Sequence, residues 1–131
     1  MPGAAFDAVG VVAKDVAASI AFYRRVGVPF PEDVELDDHV ECALGSGMRL
    51  MIDSEESIAG MFPGYQGKPG NRVAFAARLP TPAEVDSLYA ELEADSHGKI
   101  PPWDTPWGMR YSSAQDPDGV QVDLYADQPA G

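Results

Sequence analysis

The segment Ala8-Val9-Gly10-Val11-Val12-Ala13-Lys14-Asp15, running on into Val16-Ala17-Ala18-Ser19-Ile20-Ala21-Phe22-Tyr23, decides the fold of this chain. A short apolar strand ends at a charged pair. Asp15 is placed to cap a helix, and Val16, Ile20 and Tyr23 share one helical face. The same order recurs further along. Arg72–Leu79 reads as a strand. Thr81 can then cap, Pro82 fits the first helical position, and Glu84 can complete a capping box. Val85, Leu88, Tyr89 and Leu92 follow at helical spacing. Each half closes with a hairpin: Gly45-Ser46-Gly47 before Met48–Asp53, and Asp116-Pro117-Asp118-Gly119 before Val120–Tyr125. The spacing predicts strand, helix, strand, strand over Phe6–Asp53 and again over Asn71–Tyr125. A duplicated unit that cannot close its own core must pair with its copy, and the seam between copies is a natural cavity. One domain, residues 1–131, is expected, with module one at about 6–53, a linker at 54–70 and module two at about 71–126.

The 131 residues suffice for an independent core. Hydrophobic content of 45% and charged content of 23% are ordinary for a globular protein. The net charge of −12 is not. It argues against a nucleic-acid partner, which needs a basic footprint. It leans toward a cationic or electron-poor small ligand, although solubility alone also accounts for it. The single cysteine, Cys42, lies in an apolar strand pattern and reads as a small buried hydrophobe. No basic stretch or apolar signal core opens the sequence, and no apolar run approaches the ~18 residues of a membrane span. The expectation is a cytoplasmic protein with no membrane partner.

Between these signals, Gly27, Pro29 and Pro31 end the first helix. Glu32–Asp38 is an acidic, exposed loop. His39–Leu44 and Met48–Asp53 form one hairpin, Met109–Ala114 and Val120–Tyr125 the other. The Gly/Pro-rich stretch Ser54–Gly70 reads as linker with one helical turn near Ser57–Met61. Lys99–Trp107, carrying Pro101, Pro102 and Pro106, reads as irregular.

Strand alternation assigns faces. Met48, Leu50 and Ile52, Val120, Val122 and Leu124, and Val73, Phe75, Ala77 and Leu79 are expected under the helices. The opposite faces carry Arg49, Met51 and Asp53; Gln121, Asp123 and Tyr125; Arg72, Ala74 and Ala76; and Phe6, Ala8, Gly10 and Val12. Small residues mixed with charges and single large groups suit a lined concavity better than a solvated sheet face.

Val9–Asp15, the helix Ala18-Ser19-Ile20-Ala21-Phe22-Tyr23 and Asp116-Pro117-Asp118-Gly119, in this order, resemble the vicinal oxygen chelate superfamily of glyoxalases, extradiol dioxygenases and bleomycin-resistance proteins. The resemblance implies an α+β fold: two βαβββ modules in tandem, forming a curled eight-stranded mixed sheet around a cup, with the helices on the outer face. It also implies homodimers with ligand sites near the subunit interface. Enzymes of that family hold a divalent metal with His and Glu from the cup face of four strands. By the pattern, those positions fall here at Ala8, Met51, Arg72 and Asp123. Ala8 cannot ligate, Met51 is a soft thioether, and Arg72 is permanently cationic. Neither His39 nor His97 rebuilds the set. No metal and no other cofactor are expected, and an Arg72–Asp123 ion pair is expected where the metal would sit.

Without a metal the cup resembles those of antibiotic-binding resistance proteins. Pro102-Trp103-Asp104-Thr105-Pro106-Trp107-Gly108-Met109-Arg110-Tyr111, followed by Asp116–Gly119 and Val122-Asp123-Leu124, is similar to mitomycin-binding members, which hold a flat quinone-type drug. The residues themselves agree. Both tryptophans lie on one proline-stiffened segment, and each rigid stacking platform contributes about 0.5–1.5 kcal/mol beyond area burial. The other reading of Trp103 and Trp107 is that they plug the barrel end as core. The candidate ligand-binding set is Trp107, Trp103, Tyr111, Arg110, Asp53, Met51, Arg49, Asp123, Tyr125 and His39. Several have a second reading. Asp53 can simply be solvated, Arg49 and Arg110 can pair with carboxylates such as Glu41 and Asp123, and His39 can be a hydrogen-bonded surface histidine. Met61, Phe62 and Tyr65 form either a lid or a satellite cluster under the linker. No serine or cysteine has a placed His and Asp partner, and no glycine-rich stretch reads as a phosphate loop. The expected function is sequestration of a planar small-molecule drug or secondary metabolite without chemistry. The alternative is a metal-free or atypical enzyme of the same fold, of lyase, isomerase or oxygenase type, acting on a secondary metabolite with Asp123, Tyr111 or Glu41 as acid–base groups. A third reading is a metal-dependent member with unusual ligands.

Overall fold

The computed structural model describes residue 3, residues 6–68 and residues 73–129. They fall into two compact units, Met1–Lys68 and Pro69–Gly131.

In the first unit, β1 (Ala8–Ala13) leads into α1 (Val16–Arg25), followed by β2 (His39–Ala43), β3 (Arg49–Ser54) and α2 (Glu55–Met61). Strand β3 is central, parallel to β1 and antiparallel to β2. Asp15 caps α1, its carboxylate accepting from the Ala18 amide at 3.1 Å. Gly27 stops the helix at φ +104°, a backbone angle that a side chain would penalise. Val11, Val40, Leu50 and Ile52 are buried, as are Ile20, Phe22 and Tyr23 of α1. Each such aliphatic side chain contributes about 1.5–3 kcal/mol by leaving water. The register puts Ala8, Gly10 and Val12, Arg49, Met51 and Asp53, and His39 and Glu41 on the opposite face.

The second unit runs β4 (Ala74–Arg78), α3 (Pro82–Ala94), β5 (Gly98–Asp104), β6 (Met109–Gln115) and β7 (Gln121–Asp127). The strand order is β4-β7-β6-β5, with β4 parallel to β7 and the other pairs antiparallel. Thr81 caps α3 through the Glu84 amide at 3.2 Å, with Pro82 in the first turn. Val85, Tyr89 and Leu92 of α3 and Ala114, Val122, Leu124 and Ala126 of the sheet are buried. The Asp116–Gly119 turn is built by Asp116, whose Oδ1 accepts from the Asp118 and Val120 amides, each at 2.8 Å.

Several sequence expectations need correction. The described residues form two sheets of three and four strands, not one curled eight-stranded sheet. The duplicated core is β1-α1-β2-β3 against β4-α3-β6-β7, and β5 has no counterpart in the first unit. Its place there falls to the stretch after Pro31, where Glu32–Asp38 carries the acidic residues that strands disfavour. Lys99–Trp107 is largely strand rather than irregular. As the edge strand β5 it tolerates Pro101 and Pro102, and its register shifts between Gly98 and Ile100 and between Ile100 and Trp103. The helical turn expected near Ser57–Met61 is present and starts earlier, as α2, capped by Ser54 through the Ser57 amide at 3.1 Å. Val73 precedes β4 and is 63% exposed instead of joining the core. Arg72, and with it the expected Arg72–Asp123 pair, lies outside the described residues.

Candidate functional site

The face of the second sheet away from its buried side carries a run of aromatic rings. Register places Trp103 beside Tyr111 and Tyr111 beside Tyr125. The Tyr111 and Tyr125 rings stack at 5.8 Å with 25° between planes. Trp107, on the turn between β5 and β6, stands edge-on to Tyr111 at 6.2 Å and to Trp103 at 5.7 Å. At the other end the Arg78 guanidinium lies 4.9 Å from the Tyr125 ring centre and pairs with Asp127 at 2.6 Å. Trp103 is 41% and Trp107 60% exposed, so neither plugs a core.

Asp123 sits at the centre of this face. Its Oδ2 accepts from the Tyr111 hydroxyl at 2.7 Å. Its Oδ1 accepts from the Ser113 hydroxyl at 2.7 Å and from the Gln121 amide at 2.9 Å. Gln121 in turn accepts from Lys99 at 3.0 Å, which fixes the orientation of its amide. Partial burial, and then the bond to Asp123, push the Tyr111 phenol up to about 12. Tyr111 therefore keeps its proton and acts as a fixed donor. Ala74 and Ala76, in register with Gln121 and Asp123, are exposed and leave this flank low.

In the first unit a chain of charges crosses the open face. The His39 Nδ1 lies 2.6 Å from Asp53 and its Nε2 2.8 Å from Glu41. Arg49 donates to Glu41 at 2.7 Å and to Asp7 at 3.0 Å. The bond to Glu41 and then that to Asp53 raise the His39 imidazolium above its usual 6.5. His39, followed by Arg49, lowers Glu41. Met51 lies on the same face, its terminal methyl 3.5 Å from where a Cβ on Gly10 would stand.

The structure thus brings Trp103, Trp107, Tyr111, Asp123 and Tyr125 together in the second unit, and His39, Arg49, Met51 and Asp53 in the first. Arg110 joins neither group. It points to the helix side of its sheet, donating to Asp86 of α3 at 2.9 Å and to Asp104 at 3.1 Å. Arg78, Ser113 and Gln121 belong to the aromatic face, yet sequence reasoning did not name them as site residues. The signal available was strand parity with Tyr125, Tyr111 and Asp123. Met61 and Phe62, at the end of α2, are exposed.

The divalent metal that the resemblance implies does not fit these residues. Among the described residues no group of three or more His, Cys, Asp or Glu is placed to hold one. Both His39 nitrogens face carboxylates, and Asp123, which already accepts from three donors, has no second ligand beside it among the described residues. No helix is long and apolar enough to cross a membrane among the described residues.

The profile of the Glyoxalase/Bleomycin resistance protein/Dioxygenase superfamily matches residues 5–124. No curated protein matches the chain. Among solved structures, a glyoxalase/bleomycin resistance protein/dioxygenase from Nocardioides is 24% identical with a TM-score of 0.70, covering 100% of this chain and 88% of its own. A glyoxalase-related enzyme from Fulvimarina pelagi is 19% identical with a TM-score of 0.76, over 94% and 88% of the two chains. A lactoylglutathione lyase from Agrobacterium tumefaciens is 22% identical with a TM-score of 0.63, over 96% and 95%. At these identities the likeness establishes a shared fold.

Proposed function

The chain belongs to the Glyoxalase/Bleomycin resistance protein/Dioxygenase superfamily, and from that premise we propose that it is a drug-binding resistance protein. It sequesters a planar aromatic or quinone-like small molecule, as a homodimer, without metal and without altering its ligand. The observation that carries the reading is the array Trp103–Trp107–Tyr111–Tyr125 on one sheet face, its two tryptophans exposed and its two tyrosines half-buried. A monomeric soluble domain has little reason to hold rings of this size in water, and such a patch marks a binding surface. Held on strands and a proline-stiffened turn, the rings lose little freedom when a flat ligand stacks on them.

The bonding of Asp123 supports binding over acid–base chemistry. Its oxygens are engaged by three donors, and Tyr111 holds its proton to about 12. The test is native mass spectrometry against a panel of planar antibiotics, with recovered ligand analysed for chemical change. One unaltered ligand per site is the expected result. Altered ligand would move the chain to the enzyme reading, and about one tightly held metal ion per chain by elemental analysis would overturn metal independence.

A further inference from the structure

Three hydrogen bonds on the aromatic face converge on one carboxylate, and this gives the site a polarity. Tyr111, Ser113 and Gln121 each turn a donor toward Asp123. The Gln121 carbonyl is engaged by Lys99. A carboxylate offers roughly four lone-pair sites. Of the two Asp123 oxygens, Oδ1 takes two donors and Oδ2 takes one. The open acceptor position is therefore on Oδ2, beside the Tyr111 hydroxyl. The Tyr111 oxygen has committed its proton to Asp123, so toward a ligand it presents lone pairs only. Ser113 is 3% exposed and offers nothing outward. The flank is kept low by Ala74 and Ala76.

Resting on the reading of this face as the ligand platform, we infer that the site selects planar aromatic ligands carrying an N–H donor on the ring edge, with Asp123 as the residue that reads it. A ligand lying against the exposed Trp103–Trp107 pair, at the Tyr111 end of the face, brings its edge to Asp123 Oδ2 and the Tyr111 oxygen. An exocyclic amine there meets two acceptors. A methyl or carbonyl group at the same place leaves the Asp123 acceptor desolvated and unpaired, or sets oxygen against oxygen. Ring stacking supplies affinity for any flat molecule, and the acceptor pair decides among flat molecules of the same size.

The probes are aminophenazine and methylphenazine, neutral planar molecules of equal size that differ only in one edge group. Dissociation constants are read from tryptophan quenching and checked by equilibrium dialysis. Wild-type protein is expected to bind aminophenazine about tenfold more tightly, the factor that a hydrogen bond to a charged acceptor supplies. In Asp123→Asn, which sets an amide donor among the three existing donors, the ratio of the two constants is expected to fall below about threefold. A wild-type ratio near one, with both probes bound, overturns the inference and leaves the platform standing. If neither probe binds, the platform fails and the inference with it. A ratio that persists in Asp123→Asn removes Asp123 as the reader. Should that variant not fold, the wild-type ratio still decides whether the site prefers a donor.

Discussion

At the scale of single residues, Trp107 and His39 carry the sharpest expectations. Trp107 meets Trp103 and Tyr111 edge-on and is 60% exposed, so its removal costs contacts with a ligand more than contacts within the fold. Trp107→Ala is expected to weaken binding of a planar ligand by roughly 1–3 kcal/mol and to leave the unfolding midpoint nearly unchanged. Trp103→Ala, on β5 and less exposed, is expected to weaken it less. Titration by calorimetry, paired with thermal unfolding, separates the two effects. A folded Trp107→Ala protein that binds as the parent does would end the stacking account. His39 works in the other unit and through pH. Its two carboxylate partners raise its pKa, so the stability it contributes is fully present below its ordinary 6.5 and is lost as pH rises through the raised value. Glu41, lowered from 4.5 chiefly by His39, contributes above that value and loses its contribution as pH falls through the lowered one. His39→Asn is therefore expected to lower the melting temperature more at about pH 5.5 than at about pH 9. A deficit independent of pH would show that His39 is held by shape alone. The His39 side chain is 49% exposed, so the effect is small and salt-sensitive.

At the scale of elements, local chemistry decided what could be read in advance. Helix α3 was legible because Thr81, Pro82 and the spacing of Val85, Tyr89 and Leu92 all speak for one helix start and one buried face. The last hairpin was legible because Asp116-Pro117-Asp118-Gly119 builds its own turn. Asp116 is 3% exposed and bonds two amides at 2.8 Å, while Gly119 supplies φ +90°. Asp116→Ala strands both amides and is expected to cost about 2 kcal/mol, with Asp116→Asn recovering most of that. Urea unfolding checks it, and an alanine variant as stable as the parent would mean that the turn does not depend on this side chain. Strand β5 was not legible. Prolines lack the amide that a ladder needs, and only an outer position with register shifts makes Pro101 and Pro102 compatible with a strand. The polar contacts were harder still. The pairing of Arg49 with Glu41 could be named as one option from strand parity. The clamp on His39 and the triad of donors on Asp123 depend on which residues stand opposite across β2–β3 and β6–β7. Turn geometry sets that register, and alternation along a single strand does not reveal it.

At the scale of the whole molecule, charge and apolar surface pull against each other. The first sheet ends in β1 and β2, the second in β4 and β5, and edge strands need cover. Phe6 is 97% exposed, Val73 63%, Met61 61% and Phe62 59%. Large apolar groups left in water favour association with a second copy of the chain, and a closed two-fold pair is the commonest way to satisfy them. Against this stands a net charge of −12 on each copy. Two such chains repel over the ~10 Å reach of charges at about 0.1 M salt, and over a longer range at lower ionic strength. A dimer built on apolar contacts therefore tightens as salt is added, whereas one built on ion pairs loosens. Sedimentation velocity at micromolar protein, run at about 0.02 M and about 0.3 M salt, is expected to show a dimer whose fraction rises with salt. A monomer at both concentrations would remove any site that needs a second copy and would leave the aromatic face of one chain to bind alone. A dimer that weakens with salt would move the interface from the apolar side chains to the charged ones.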